Sequence, residues 1–94
     1  MQITHHAQRR IAQRSLPLVV VDLVMRIGEE IRSNRGCKIR LLNSKILKSE
    51  FIGELKALGH KAEHKWCDLY LVVDEGNVVI TAGYRYKRLD AIRY

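Results

Sequence analysis

The stretch that most limits what this chain can become lies near its end. Asp68-Leu69-Tyr70-Leu71-Val72-Val73 is followed by the turn formers Asp74-Glu75-Gly76-Asn77, and Val78-Val79-Ile80-Thr81-Ala82 comes back behind them. β-Branched and aromatic residues crowd both arms, and the break between them is short, so the arms pair as an antiparallel hairpin. A lone hairpin is marginal in water. Arms this apolar need further strands beside them and a layer of helix above them, and the remaining residues have to supply both. Gly83 is expected to form a bulge that re-aims Tyr84-Arg85-Tyr86-Lys87-Arg88.

Read from its start, the chain provides those parts. Thr4 is a suitable N-cap for a helix over the following residues, with Ala7 and Ile11 as its narrow apolar stripe. Pro17 and Gly28 bracket a second segment, Leu18 to Ile27, apolar almost all round. Its valines suit a strand, but the brackets and an Asp22–Arg26 pair one turn apart select a buried helix. Glu29 to Leu42 reads as a hairpin turning at Asn34-Arg35-Gly36. The alternation of Cys37, Ile39 and Leu41 with Lys38 and Arg40 puts the cysteine in the core and turns the two cations outward. Asn43 or Ser44 caps a third helix, Ser44 to Leu58, with the stripe Leu47, Phe51, Leu55 and Leu58, and Gly59 ends it. His60 to Trp66 is expected to be a loop. The chain therefore reads as a single domain over residues 1–94 that combines helices with antiparallel strand pairs.

Charge narrows the function. Seventeen lysines and arginines face ten acids, for a formal charge of +7. Such an excess in a small domain favours a polyanionic partner. Arg32, Arg35, Lys38, Arg40, Lys45 and Lys48 run without an intervening acid, as do Arg85, Lys87 and Arg88, and no acid precedes Asp22. No apolar run is long enough to cross a bilayer, and the polar, basic N-terminus lacks the apolar core of a secretory signal. We therefore expect a cytoplasmic protein with reduced cysteines and no membrane partner.

Two constellations carry chemistry. On the first helix His6, Arg10 and Gln13 share a polar face, with Arg14 at the edge of the apolar stripe. An imidazole beside guanidinium groups can hold a phosphate and move a proton near neutral pH. The competing account is a solvated basic helix, which suffices for His5 and Arg9. At the other end, Tyr84 and Tyr86 alternate with Arg85 and Lys87, a pattern that suits base stacking with phosphate contact, or simply a basic strand end. His60, His64 and Cys67 are able zinc ligands, but without a Cys-x-x-Cys knuckle we expect neither a metal site nor a cofactor.

The pattern His6-Ala7-x-x-Arg10-x-x-x-Arg14, with Val79-Ile80-Thr81 near the end, resembles a family of small bacterial domains grouped with the BrnT and RelE-like toxins. Ser15-Leu16 stands where that family has a Gly-Ile break, a departure expected to matter little, and residues 44–66 look like an insertion in its sheet. The resemblance implies an α+β, RelE-like fold, with two N-terminal helices packed on an antiparallel sheet and here an additional inserted helix around 44–58, and it implies RNA cleavage and neutralisation by an antitoxin. We expect a metal-independent endoribonuclease in which His6 is the acid or base, Arg10, Arg14 and Arg85 hold the phosphate, and Tyr84 or Tyr86 stacks a base or donates a proton. Arg9, Lys38, Arg40, Lys87 and Arg88 would extend the contact with RNA. The expected partners are RNA, free or on the ribosome, a small acidic antitoxin-like protein and a further copy of the chain. The alternatives are a non-catalytic nucleic-acid-binding module and a basic protein–protein adaptor.

Overall fold

The computed structural model describes residues 1–33 and 36–85. They form α1 (His5–Gln13), α2 (Leu18–Ile27), β1 (Glu29–Arg32), β2 (Lys38–Leu41), α3 (Lys45–Ala57), a short 3₁₀ turn (His64–Asp68), β3 (Leu69–Val73) and β4 (Val79–Tyr84). The strands make one antiparallel sheet in the order β1-β2-β3-β4, so two hairpins stand side by side with α3 in the connection between them. No helix among the described residues is long and apolar enough to cross a membrane.

The helices cover one face of the sheet. α1 lies against β4, α2 against β2 and β3, and α3 against α2. Ala7, Ile11, Val20, Val21, Leu23, Val24, Phe51 and Leu55 meet Leu69, Leu71, Val73, Val79 and Ala82 in one core. Alternation sends Ile39, Leu41 and Val72 to the opposite face, where Ile31, Cys37, Tyr70 and Ile80 pack around them. Phe51 and Leu55 are fully buried, so α3 is part of the core rather than an appendage. Truncating either to alanine would cost about 2–5 kcal/mol.

Thr4 fastens α1 to the sheet. Its hydroxyl oxygen accepts from the Ala7 amide (3.1 Å), capping the helix, while the same hydroxyl donates to the Ile80 carbonyl (3.1 Å). Its amide donates to the Val79 carbonyl at 3.0 Å, and Val79 donates to the Gln2 carbonyl at 2.9 Å. Ile3 thereby runs parallel to the start of β4 and closes part of an edge that would otherwise be open.

Gly28 ends α2, as its place in the sequence predicts, in an extended conformation (φ −68°, ψ 154°). It is glycine because a Cβ there would stand 2.5 Å from the Val24 carbonyl oxygen and 3.1 Å from that of Leu41. The bulge is at Ile80, not Gly83: Val72 pairs with Thr81 and Val73 with Val79, leaving Ile80 without a partner. Gly83 pairs regularly with Tyr70, whose ring lies over it. Leu58 leaves the apolar stripe and is exposed, because α3 has ended at Ala57. The stretch expected as a loop winds into the 3₁₀ turn, which buries Trp66 and Cys67. Of the first turn signal, Asn34 and Arg35 lie outside the described residues.

Candidate functional site

The chemistry that the sequence suggests depends on which cations remain uncompensated once the chain has folded. The run Arg32 to Lys48 has no acid in sequence, but the sheet brings one to it. Register pairs Glu30 with Arg40, and the Glu30 carboxylate lies 3.6 Å from the Arg40 guanidinium and 3.7 Å from the Lys38 ammonium. Arg40 also donates to the carbonyl of Met25 near the end of α2. The expectation that Lys38 and Arg40 face outward is therefore corrected. They lie on the side of the sheet that carries α2, with side chains only 22% and 21% exposed. Ile39 and Leu41 are buried on the opposite face, as alternation predicts; what it does not reveal is that the two cations lie on the α2 side, held by Glu30 and Met25. Lys48, the last cation of that run, reaches Asp68 at 3.8 Å. Arg26 meets Asp22 at 3.1 Å, as the helical spacing required.

α1 is different. Ala7 and Ile11 are buried against β4, which turns His5, His6, Arg9, Arg10 and Gln13 to solvent. The first turn contains no acid, and among the described residues no carboxylate lies within ion-pair distance of any α1 side chain. Arg14 is the C-cap and is half-buried. Behind it the chain reverses: the Leu16 amide donates to the Ile11 carbonyl at 3.0 Å and the Ser15 amide to Ala12 at 3.1 Å. That closure forces Ser15 to φ +51°, in the left-handed region where glycine is at ease. Serine at this position therefore has a backbone cost.

At the far end of β4, Tyr84 is half-buried and packs against the core, so part of its ring is committed to the fold. Arg85 follows the last strand pair. Its amide donates to the Asp68 carbonyl at 2.7 Å, and its guanidinium donates to the Asn43 side-chain oxygen at 3.0 Å. Those partners belong to the β2–α3 connection and the 3₁₀ turn, not to α1. In the sequence Asn43 reads only as an alternative cap for α3. Ser44 takes that role, its hydroxyl accepting from the Leu47 amide at 3.1 Å. Nothing local marks Asn43 as the partner of a residue so distant in the chain. Tyr86, Lys87 and Arg88 lie outside the described residues.

Comparison of the chain with protein-family models, with curated proteins and with solved structures finds no match. The site therefore stands on its own geometry. His60 and His64 are exposed and Cys67 is buried, and among the described residues no group of three or more His, Cys, Asp or Glu could hold a metal ion. Burial pushes the Cys67 thiol above its ordinary pKa; Lys48 opposes that rise and Asp68 adds to it. A cavity of about 350 Å³ is lined by Met1, Asp22, Met25, Arg40 and Asn77. Its arginine is already engaged by Met25 and Glu30, and no α1 side chain lines it.

Proposed function

We propose that this chain is a cytoplasmic protein that acts on RNA as a metal-independent endoribonuclease of the RelE/BrnT toxin kind. The observation that carries the proposal is the solvent face of α1, where the guanidinium groups of Arg9 and Arg10 and two imidazoles have no carboxylate of the described residues within ion-pair distance. Elsewhere the fold pairs several of its cations with acids. An uncompensated row of this kind attracts a phosphate backbone. In the proposed reaction an RNA 2′-hydroxyl loses its proton, O2′ attacks phosphorus, and the bond to O5′ breaks with proton delivery to the leaving oxygen. The products are a 2′,3′-cyclic phosphate and a 5′-hydroxyl. His6 takes the first proton or supplies the second, and Arg10 and Arg14 stabilise the charge on phosphorus.

The test is to incubate the protein with RNA, alone and with ribosomes, and to map the ends formed. Wild type should give 2′,3′-cyclic phosphate ends, and His6→Ala should lower the rate about 100-fold. If no such ends appear and expression does not arrest growth, the cleavage proposal fails. One observation favours a non-catalytic RNA-binding module instead: His6 and Arg10 lie on an exposed helix face, and the cavity described above lies against α2 and Arg40, whereas active sites are concave. That module would bind RNA with steep salt dependence and leave it intact. His6→Ala would then bind normally, while Arg10→Ala would bind more weakly.

A further inference from the structure

Arg85 and Arg40 are both anchored side chains, but they are anchored in different ways. Arg40 meets a carboxylate and a helix carbonyl, so its charge is compensated inside the fold. Arg85 is held by Asn43, a neutral amide, at 3.0 Å. The Asp68 carboxylate lies 3.8 Å from Lys48, and among the described residues no carboxylate lies within ion-pair distance of Arg85. Its backbone is also pinned, by the 2.7 Å bond to the Asp68 carbonyl. Among the described residues, Arg85 is thus a cation held in place by a neutral partner.

Were the contact only a tie between β4 and the β2–α3 connection, a carboxylate at position 43 would hold the guanidinium more strongly. The amide orients the guanidinium through one N–H and leaves its other donors and its full charge for an outside anion. We propose that Asn43 is a positioning residue that presents Arg85 to a phosphate of the RNA backbone, as a contact locus additional to α1. This inference rests on the RNA-directed function proposed above.

Asn43→Asp separates the two accounts, because it strengthens the tie while compensating the charge. The probe is a fluorescent single-stranded RNA with methylated 2′-hydroxyls, which cannot be cleaved by attack of O2′. Affinity is measured over a salt series for wild type, Asn43→Asp, Arg85→Ala, the double variant and Arg10→Ala, with thermal unfolding as the folding control. We expect Asn43→Asp to unfold at or above the wild-type temperature, yet to bind about three- to tenfold more weakly. Its salt slope should fall by roughly 0.7, the loss of one phosphate contact on a single strand. Arg85→Ala should behave alike in binding, and the double variant should bind no worse than Arg85→Ala. Asn43→Asp binding like wild type overturns the inference. So does an equal loss in the Arg85→Ala background, which would mean general repulsion. If Arg10→Ala weakens binding while Arg85→Ala does not, this inference falls and the RNA-directed function stands. No binding by wild type overturns both.

Discussion

Ser15 offers a direct test of how α1 is terminated, because the chain contains its own control. α1 and α3 end in the same closure. In α1 the Leu16 amide reaches Ile11 and the Ser15 amide reaches Ala12. In α3 the His60 amide reaches the Leu55 carbonyl at 2.9 Å and the Gly59 amide reaches Lys56 at 3.0 Å. The equivalent residues sit at φ +51° for Ser15 and +80° for Gly59. A side chain in that conformation costs about 1–2 kcal/mol through the clash of Cβ with the following carbonyl. Glycine escapes the clash, but its greater freedom in the unfolded chain returns roughly 0.5–1 kcal/mol. Ser15→Gly should therefore stabilise by about 0.5–1 kcal/mol, and Gly59→Ser should destabilise by a similar amount. For a domain of this size that is a rise or fall of about 2–8 °C in the unfolding temperature. Calorimetry or urea titration at unchanged denaturant slope measures it. A Ser15→Gly protein no more stable than wild type, with Gly59→Ser harmless, would refute the account of both helix ends.

Other outcomes follow from the same contacts. Arg40→Met should destabilise by about 1–2 kcal/mol in urea titration, mainly because the Met25 carbonyl loses its donor. The effect is bounded because Arg40 Nε is itself buried without a hydrogen-bond partner and its ion pair with Glu30 is long, at 3.6 Å. The same variant should leave RNA affinity closer to wild type than Arg10→Ala does, since Arg40 is spent on the fold. Of the two free thiols, half-buried Cys37 should react with a disulfide reagent at pH 8 well before buried Cys67. Because the folded-state pKa of Cys67 is raised from 9.0, its contribution to stability is present below about pH 9 and is lost as pH rises above it. Cys67→Ala should show a shallower loss over that alkaline range.

Much of this architecture was legible in the linear chain. Thr4 as a cap, the Ala7 and Ile11 stripe, the Pro17 and Gly28 brackets, the Asp22–Arg26 pair and both hairpins are visible because each rests on contacts within a few residues or on a period of helix or strand. The exposed face of α1 belongs to the same class: once Ala7 and Ile11 are buried, helical spacing sends His6 and Arg10 outward. What alternation could not supply is which side of the β2 strand meets α2, since a two-residue period separates the faces without naming them.

The sorting of the charges was decided only by the tertiary structure. A run of cations without an intervening acid looks uncompensated in sequence, but Glu30 is brought opposite Arg40 by strand register, and Asp68 is brought to Lys48 by the return of the chain after α3. Asn43 and Arg85 meet for the same reason. The burial of Trp66 and Cys67 likewise depends on a core assembled from distant segments. Electrostatic compensation acts over a few ångströms of space, and neighbours in space are set by register and packing rather than by position in the chain. The sequence by itself determined the helices, the strands and the basic face of α1; the folded chain decided which other cations are spent on structure and left Arg85 held by a neutral partner.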